Sequence, residues 1–225
     1  MLDFLRTWLF APACVACDAP GPALCASCAP APLDAQAFDL DGVPAFALGA
    51  YDGALRRAIV ALKHGARDPL DAFAALLAVA PVAGVLVPVP TTRRRAAERG
   101  FDQSTELARR LAARRGLASV ELLVKHGRAQ AGRGREARLA ANRRFGLRPG
   151  LALPREVTLV DDVCTTGATL RDALWTLRDA AVEVRQIVVV ARALDDRPHR
   201  GGRLDAGTET VPDPEPWSPG PGRRR

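Results

Sequence analysis

Residues 157–170 read VTLVDDVCTTGATL. Four β-favouring residues run into two adjacent carboxylates, Asp161 and Asp162. A short Cys-Thr-Thr-Gly turn follows, and then a helix-forming run. The pattern predicts a buried strand, a tight loop and a helix, in that order. Such a loop offers backbone N–H groups and Thr hydroxyls to a phosphate at the N-terminus of the next helix. The carboxylates can accept hydrogen bonds from sugar hydroxyls, or sit beside a magnesium-bound substrate. The stretch therefore reads as a cradle for a sugar phosphate.

Outward from it, strands and helices alternate. Residues 46–51 read as a short strand. Residues 54–64 read as a helix with Leu55, Ile59 and Leu62 on one face. A helix over 68–79, a strand over 84–89 and a helix over 105–115 follow, the last reached through TTRRRAAERGFDQS. VELLV at 120–124 reads as a further strand, 125–135 as a mobile loop and 136–144 as helix. After the strand at 157–160 come a helix over 168–180 and a last strand over 182–193. This alternation predicts an α/β fold, a mostly parallel sheet flanked by helices. Ligands of such sheets bind at the C-terminal strand ends, where Asp161 and Asp162 fall. The expected division is a cysteine-containing module over 1–40, the α/β domain over 41–194 and a tail over 195–225. The tail is rich in Pro, Gly and Arg and has no periodicity, so disorder is expected there.

The charge is unevenly placed. Residues 93–148 hold 16 Lys+Arg against 5 Asp+Glu, within a chain whose net charge is +7. A basic central region suits an anionic ligand, a polyphosphate or nucleic acid; solvated arginines on helix faces are the plainer alternative. The opening MLDFLRTWLF lacks a basic leader and is too short to span a bilayer. The uncharged run 72–90 is broken by Pro81, Gly84, Pro88 and Pro90. No membrane span and a cytoplasmic location are expected, where thiols stay reduced.

Cys14, Cys17, Cys25 and Cys28 form CxxC-x7-CxxC. Two such knuckles can supply four thiolates to a structural zinc ion, with redox chemistry or a disulfide pair as the alternatives. Zinc would help to close so small a segment, since binding in zinc-finger peptides is worth about 10–16 kcal/mol. Four thiolates leave no open position for catalysis.

The nucleotide-binding alternatives for 157–170 fail on detail: neither GxxxxGK[ST] nor a GxGxxG after a strand occurs. The stretch closely resembles the phosphoribosyl pyrophosphate (PRPP) motif of type I phosphoribosyltransferases. The order of paired CxxC, YDGALRRAIVALKHGARD, VPVPTTRRRAAERGFDQSTELA, Gln130, Arg138, Asn142 and Phe145, then LVDDVCTTGATL, resembles the ComF family over about residues 8–193. These are zinc-ribbon proteins with a phosphoribosyltransferase-like domain, associated with natural competence and DNA uptake. Two departures are Asp102, where the family usually has Asn, and His64, where an aromatic is common.

The resemblance implies roles. Asp161 and Asp162 would face the ribose hydroxyls. Cys164, Thr165, Thr166, Gly167, Ala168 and Thr169 would wrap the 5′-phosphate, with Cys164 as a spacer and not a nucleophile. Pro90, Thr91, Thr92 and Arg93 would contact pyrophosphate, helped by magnesium. Arg133, Arg135 and Lys63 are candidate catalytic cations, the first two on a loop expected to close over the site; loop solubility for the arginines and a snorkelling role for Lys63 are the alternatives. The implied activity is PRPP-dependent glycosyl transfer to an unread acceptor. The alternative is a non-catalytic PRPP sensor that binds single-stranded DNA or a competence helicase.

Overall fold

The structure is a computed structural model, and it describes residues 12–126 and 144–193. Its centre is a five-stranded sheet. In chain order, the strands are β1 (Gln36–Leu40), β2 (Val43–Ala50), β3 (Val85–Pro88), β6 (Glu156–Cys164) and β7 (Glu183–Arg192). The spatial order is β1-β2-β7-β6-β3. β1 pairs antiparallel with β2, and every other pairing is parallel. This is the expected mostly parallel sheet. β1, placed with the cysteine module by sequence, is its edge strand.

The helices are α1 (Gly53–Lys63), α2 (Pro69–Leu77), α3 (Arg93–Arg99), α4 (Gln103–Arg115) and α5 (Ala168–Asp179). In α1 the buried residues Leu55, Ala58, Ile59 and Leu62 make the predicted stripe. That stripe packs with Phe73 of α2, Leu107 and Leu111 of α4, and Val188 and Val190 of β7. The other face of β7 presents Ile187 and Val189 to Leu170, Leu174 and Leu177 of α5. Alternation along β7 thus feeds two cores, which is why its sequence is almost wholly apolar. Each fully buried Leu or Ile contributes about 1.5–3 kcal/mol.

Two expectations need correction. VELLV is not a strand of the main sheet. Its start lies along β3, with Val120 N–H donating to the Leu86 carbonyl at 2.9 Å. The chain then turns away, and β4 (Leu123–Lys125) pairs antiparallel with β5 (Phe145–Leu147) in a separate ribbon. The segment before Thr105 is also more ordered than a connection. Thr92 Oγ1 caps α3 by accepting from the Arg95 N–H at 3.4 Å, and Asp102 caps α4. Among the described residues no helix is long and apolar enough to cross a membrane. The expected helix over 136–144, the loop over 125–135 with Arg133 and Arg135, and the tail lie wholly or mostly outside the described residues.

Candidate functional site

β3 ends at Pro88, paired with Val160, so Asp161 and Asp162 continue β6 past the end of its neighbour. The chain leaves β3 towards α4 on one face and β6 towards α5 on the other. A crevice opens at such a divergence. Here it is a cleft of about 170 Å³ whose walls carry Lys63, Arg95, Arg99, Lys125, Asp161 and Asp162. A larger depression, about 550 Å³, lies where the cysteine module meets the β1–β2 edge, lined by Cys28, Asp34, Gly49 and Leu55. Of these two, it is the smaller one in which opposed charges converge.

Asp161 is 8% exposed. Its Oδ1 accepts from the Ser104 hydroxyl at 2.8 Å and from the Asp162 N–H at 2.9 Å. Burial, and then the neighbouring Asp162 carboxylate, push its carboxyl well above the ordinary range; the Ser104 and Asp162 donors act in the opposite direction. Asp162 is more open. Its Oδ2 lies 3.6 Å from Lys63 Nζ. The two acids are therefore unlike: one is sunk under the N-terminus of α4, the other faces the cleft and a cation.

The cations come from separate elements. Lys63 ends α1, Arg95 and Arg99 lie on α3, and Lys125 ends β4. Burial lowers the Lys125 ammonium below its usual range, and attraction to Asp161 raises it. Arg99 donates to Gln103 Oε1 at 2.5 Å, and the buried Gln103 amide donates to the Leu62 carbonyl at 3.0 Å. Gln103 thus ties α3 to the end of α1 beside Lys63.

Of the expected site residues, Lys63, Pro90, Thr91, Asp161, Asp162 and Thr169 meet around this cleft. The Thr91 N–H donates to Asp102 Oδ2 at 2.7 Å, while Asp102 Oδ1 accepts from the Thr105 N–H at 3.1 Å. Asp102 therefore caps α4 and pins the 90–93 turn together. Thr92 is engaged as a cap, and Arg93 is exposed at the first turn of α3. Ser104, Gln103, Arg95, Arg99 and Lys125 escaped the sequence reading as site residues. The RGFDQS turn held three of them, Arg99, Gln103 and Ser104, in plain view, but nothing in spacing alone aims them at β6.

The 164–169 loop joins β6 to α5. Cys164 is buried, and burial raises its thiol above the usual range. Thr165 and Thr166 are exposed. Gly167 precedes α5 at φ 76°, and a Cβ there would lie 2.7 Å from Leu40 Cδ1 and 3.2 Å from an Arg171 nitrogen. Only glycine suits both the left-handed backbone and that space. The first N–H groups of α5 have no partners within the helix.

Cys14, Cys17, Cys25 and Cys28 come together, their sulfurs all within 4.8 Å of one another. Each CxxC is a tight turn, with the Cys28 N–H donating to the Cys25 carbonyl at 2.9 Å. The Cys17 and Cys25 sulfurs are 3.7 Å apart. Zn–S bonds of about 2.3 Å in a tetrahedron place sulfurs about 3.8 Å apart, so the donor set fits such an ion. The Cys25 N–H, donating to Cys14, holds that thiol down to about 6; a hydrogen bond shared with Cys17, then burial, push Cys28 up to about 12. Four thiolates so close repel one another, and a cation among them removes that conflict. Arg57 Nε donates to the Ala16 carbonyl at 2.6 Å, which fastens the first knuckle to α1.

A mostly parallel α/β domain with a four-cysteine module is the class these features define. The chain is similar to competence protein ComFC of Streptococcus pneumoniae (strain ATCC BAA-255 / R6), with 32% identity over 98 residues. The match covers 43% of this chain and 43% of that relative, so it spans less than half of either. The ComF resemblance drawn from the motifs thus has a relative of that name beside it. The solved structure of the allosteric regulatory enzyme of purine biosynthesis aligns with a TM-score of 0.39 and 22% identity, over 67% of this chain and 27% of that one. No protein-family model matches the chain.

Proposed function

We propose that this ComF-like protein binds PRPP, with magnesium, in the cleft at the C-terminal edge of the sheet, and holds a structural zinc ion on its four cysteines. One arrangement carries the reading: adjacent strand carboxylates, Asp161 and Asp162, share a cleft with four cations beside a Thr-rich turn at a helix N-terminus. Asp162 and Asp161 receive the ribose hydroxyls. The loop from Cys164 to Thr169 takes the 5′-phosphate on backbone N–H groups and Thr hydroxyls. Thr91, Lys63, Arg95 and Arg99 face the pyrophosphate, and magnesium when bound offsets part of its charge. If a nitrogen nucleophile attacks the anomeric carbon, pyrophosphate leaves from an oxocarbenium-like transition state. The cations stabilise the departing charge and the carboxylates orient the sugar.

By likeness to a competence protein, the proposed setting is DNA uptake. A second reading keeps the PRPP site as a sensor and uses the exposed Arg93 and Arg94 of α3 on single-stranded DNA or a helicase partner. Binding of that kind weakens steeply with salt.

Thermal unfolding tests the PRPP reading. Ligand at a hundredfold excess over Kd stabilises a fold by about 2.7 kcal/mol. PRPP with magnesium should raise the Tm of the wild type and leave that of the double variant Asp161→Asn/Asp162→Asn unmoved. An unmoved wild type overturns the proposal.

A further inference from the structure

The back of the phosphate loop is held by a residue outside the PRPP motif. Arg171, on the first turn of α5, donates through one guanidinium nitrogen to the Thr166 carbonyl at 2.7 Å and through Nε to Asp41 Oδ1 at 2.9 Å. Asp41 sits in the turn between β1 and β2. Its own carbonyl accepts from Arg178, two turns further along the same face of α5, at 3.0 Å. Leu40, beside it, closes on Gly167: a Cβ on Gly167 would meet both Leu40 and Arg171. The hairpin turn and Arg171 together enclose the loop from behind.

A loop that binds phosphate through N–H groups must keep its carbonyl oxygens turned away, because an inward carbonyl would repel the anion. The bond from Arg171 fixes the Thr166 carbonyl, and Asp41 fixes Arg171. We infer that Arg171, anchored by Asp41, is a positioning residue that presets the 164–169 loop for the 5′-phosphate. The inference rests on the PRPP reading above. Arg171 works through its planar fork, which bonds two partners at once; a lysine ammonium keeps the charge without that geometry.

Two fragments of the ligand separate the possibilities in the full-length protein. Ribose 5-phosphate reports on the loop, and pyrophosphate on the Lys63–Arg99 side of the cleft. Arg171→Met and Arg171→Lys should each weaken ribose 5-phosphate by about three- to tenfold, the worth of one oriented hydrogen bond, and leave pyrophosphate affinity unchanged. Asp41→Asn, which tolerates the φ of 53° at that turn, should weaken ribose 5-phosphate in the same direction. The Gly167 amide signal in a nitrogen–proton correlation spectrum should shift on ribose 5-phosphate addition in the wild type and shift less in Arg171→Met. If Arg171→Lys binds as the wild type does, or Asp41→Asn binds more tightly, Arg171 is a direct charge partner of the ligand and the inference fails. Equal losses for both fragments would mark a merely structural role and overturn it too. A wild type that binds pyrophosphate but not ribose 5-phosphate removes the loop assignment alone. A wild type that binds neither removes the PRPP reading itself.

Discussion

Gly167→Ala should be among the costliest small changes in this domain, and its cost can be divided. The residue holds φ at 76°, and a left-handed backbone costs a non-glycine residue about 1–2 kcal/mol. The new methyl would lie 2.7 Å from Leu40 Cδ1. Overpacking of that kind costs about 1–3 kcal/mol. The single variant should therefore lose about 2–5 kcal/mol, a large part of the stability of an ordinary domain. Leu40→Val removes the Cδ atoms and alone should cost about 1–2 kcal/mol, since one methylene and a small void are lost. In the double variant the clash disappears, although the backbone strain remains. Its loss should fall short of the sum of the two singles by about 1–3 kcal/mol. Equilibrium urea unfolding of the four proteins measures this directly. Additive losses would show that Leu40 does not press on the loop. A Gly167→Ala protein as stable as the wild type would show that the left-handed turn itself is misassigned.

Other consequences are open to similar tests. Asp161 has a folded-state pKa above its unfolded value, so its contribution to stability is complete below the unfolded value, about 3.9, and is lost as pH rises through the raised one. Asp161→Asn keeps an acceptor for Ser104 and lacks this slope; it should gain on the wild type in urea midpoint as pH rises above about 3.9, and parallel curves would refute the burial argument. Asp102→Asn retains one side-chain acceptor where two are used, for the Thr91 and Thr105 N–H groups, and should lose about 0.5–1.5 kcal/mol in thermal unfolding. Elemental analysis under reducing conditions should find about one zinc per chain, and Cys14→Ser should lower that figure. Because Cys14, Ala16 and Leu24 share a core with Leu55 and Ile59, zinc removal should lower the Tm of the domain as well.

The sequence made the central strand and its neighbours readable because apolar runs bounded by turn residues have few other uses. VTLV became β6 and IVVV the interior of β7. What it hid were features settled by partners distant in sequence. The carboxylates looked like the end of a strand, yet β6 runs through them to Cys164, since Ser104 and the backbone satisfy Asp161 in place. RRRAAER has no apolar stripe, and α3 forms there from good helix formers between the Thr92 cap and Gly100. QAFDL was passed over because only Leu40 of β1 is fully buried, an edge strand with little to announce it. VELLV misled by composition: Leu122 and Leu123 are buried, but against α5-side residues and not as a strand of the main sheet. At the site, Asp161, Asp162, Thr91 and Lys63 were legible from motif and helix position. Ser104, Gln103 and Lys125 were not, because only the packing of α4 and β4 brings them to the strand end.

The central question is whether the Asp161–Asp162 cleft is a PRPP site. A calorimetric titration of the full-length protein with PRPP and magnesium, beside Asp161→Asn/Asp162→Asn, measures that with the fewest intervening assumptions. Saturable binding at about one site per chain by the wild type, abolished in a folded double variant, is the predicted result. No binding by the wild type, or equal binding by both proteins, would contradict it.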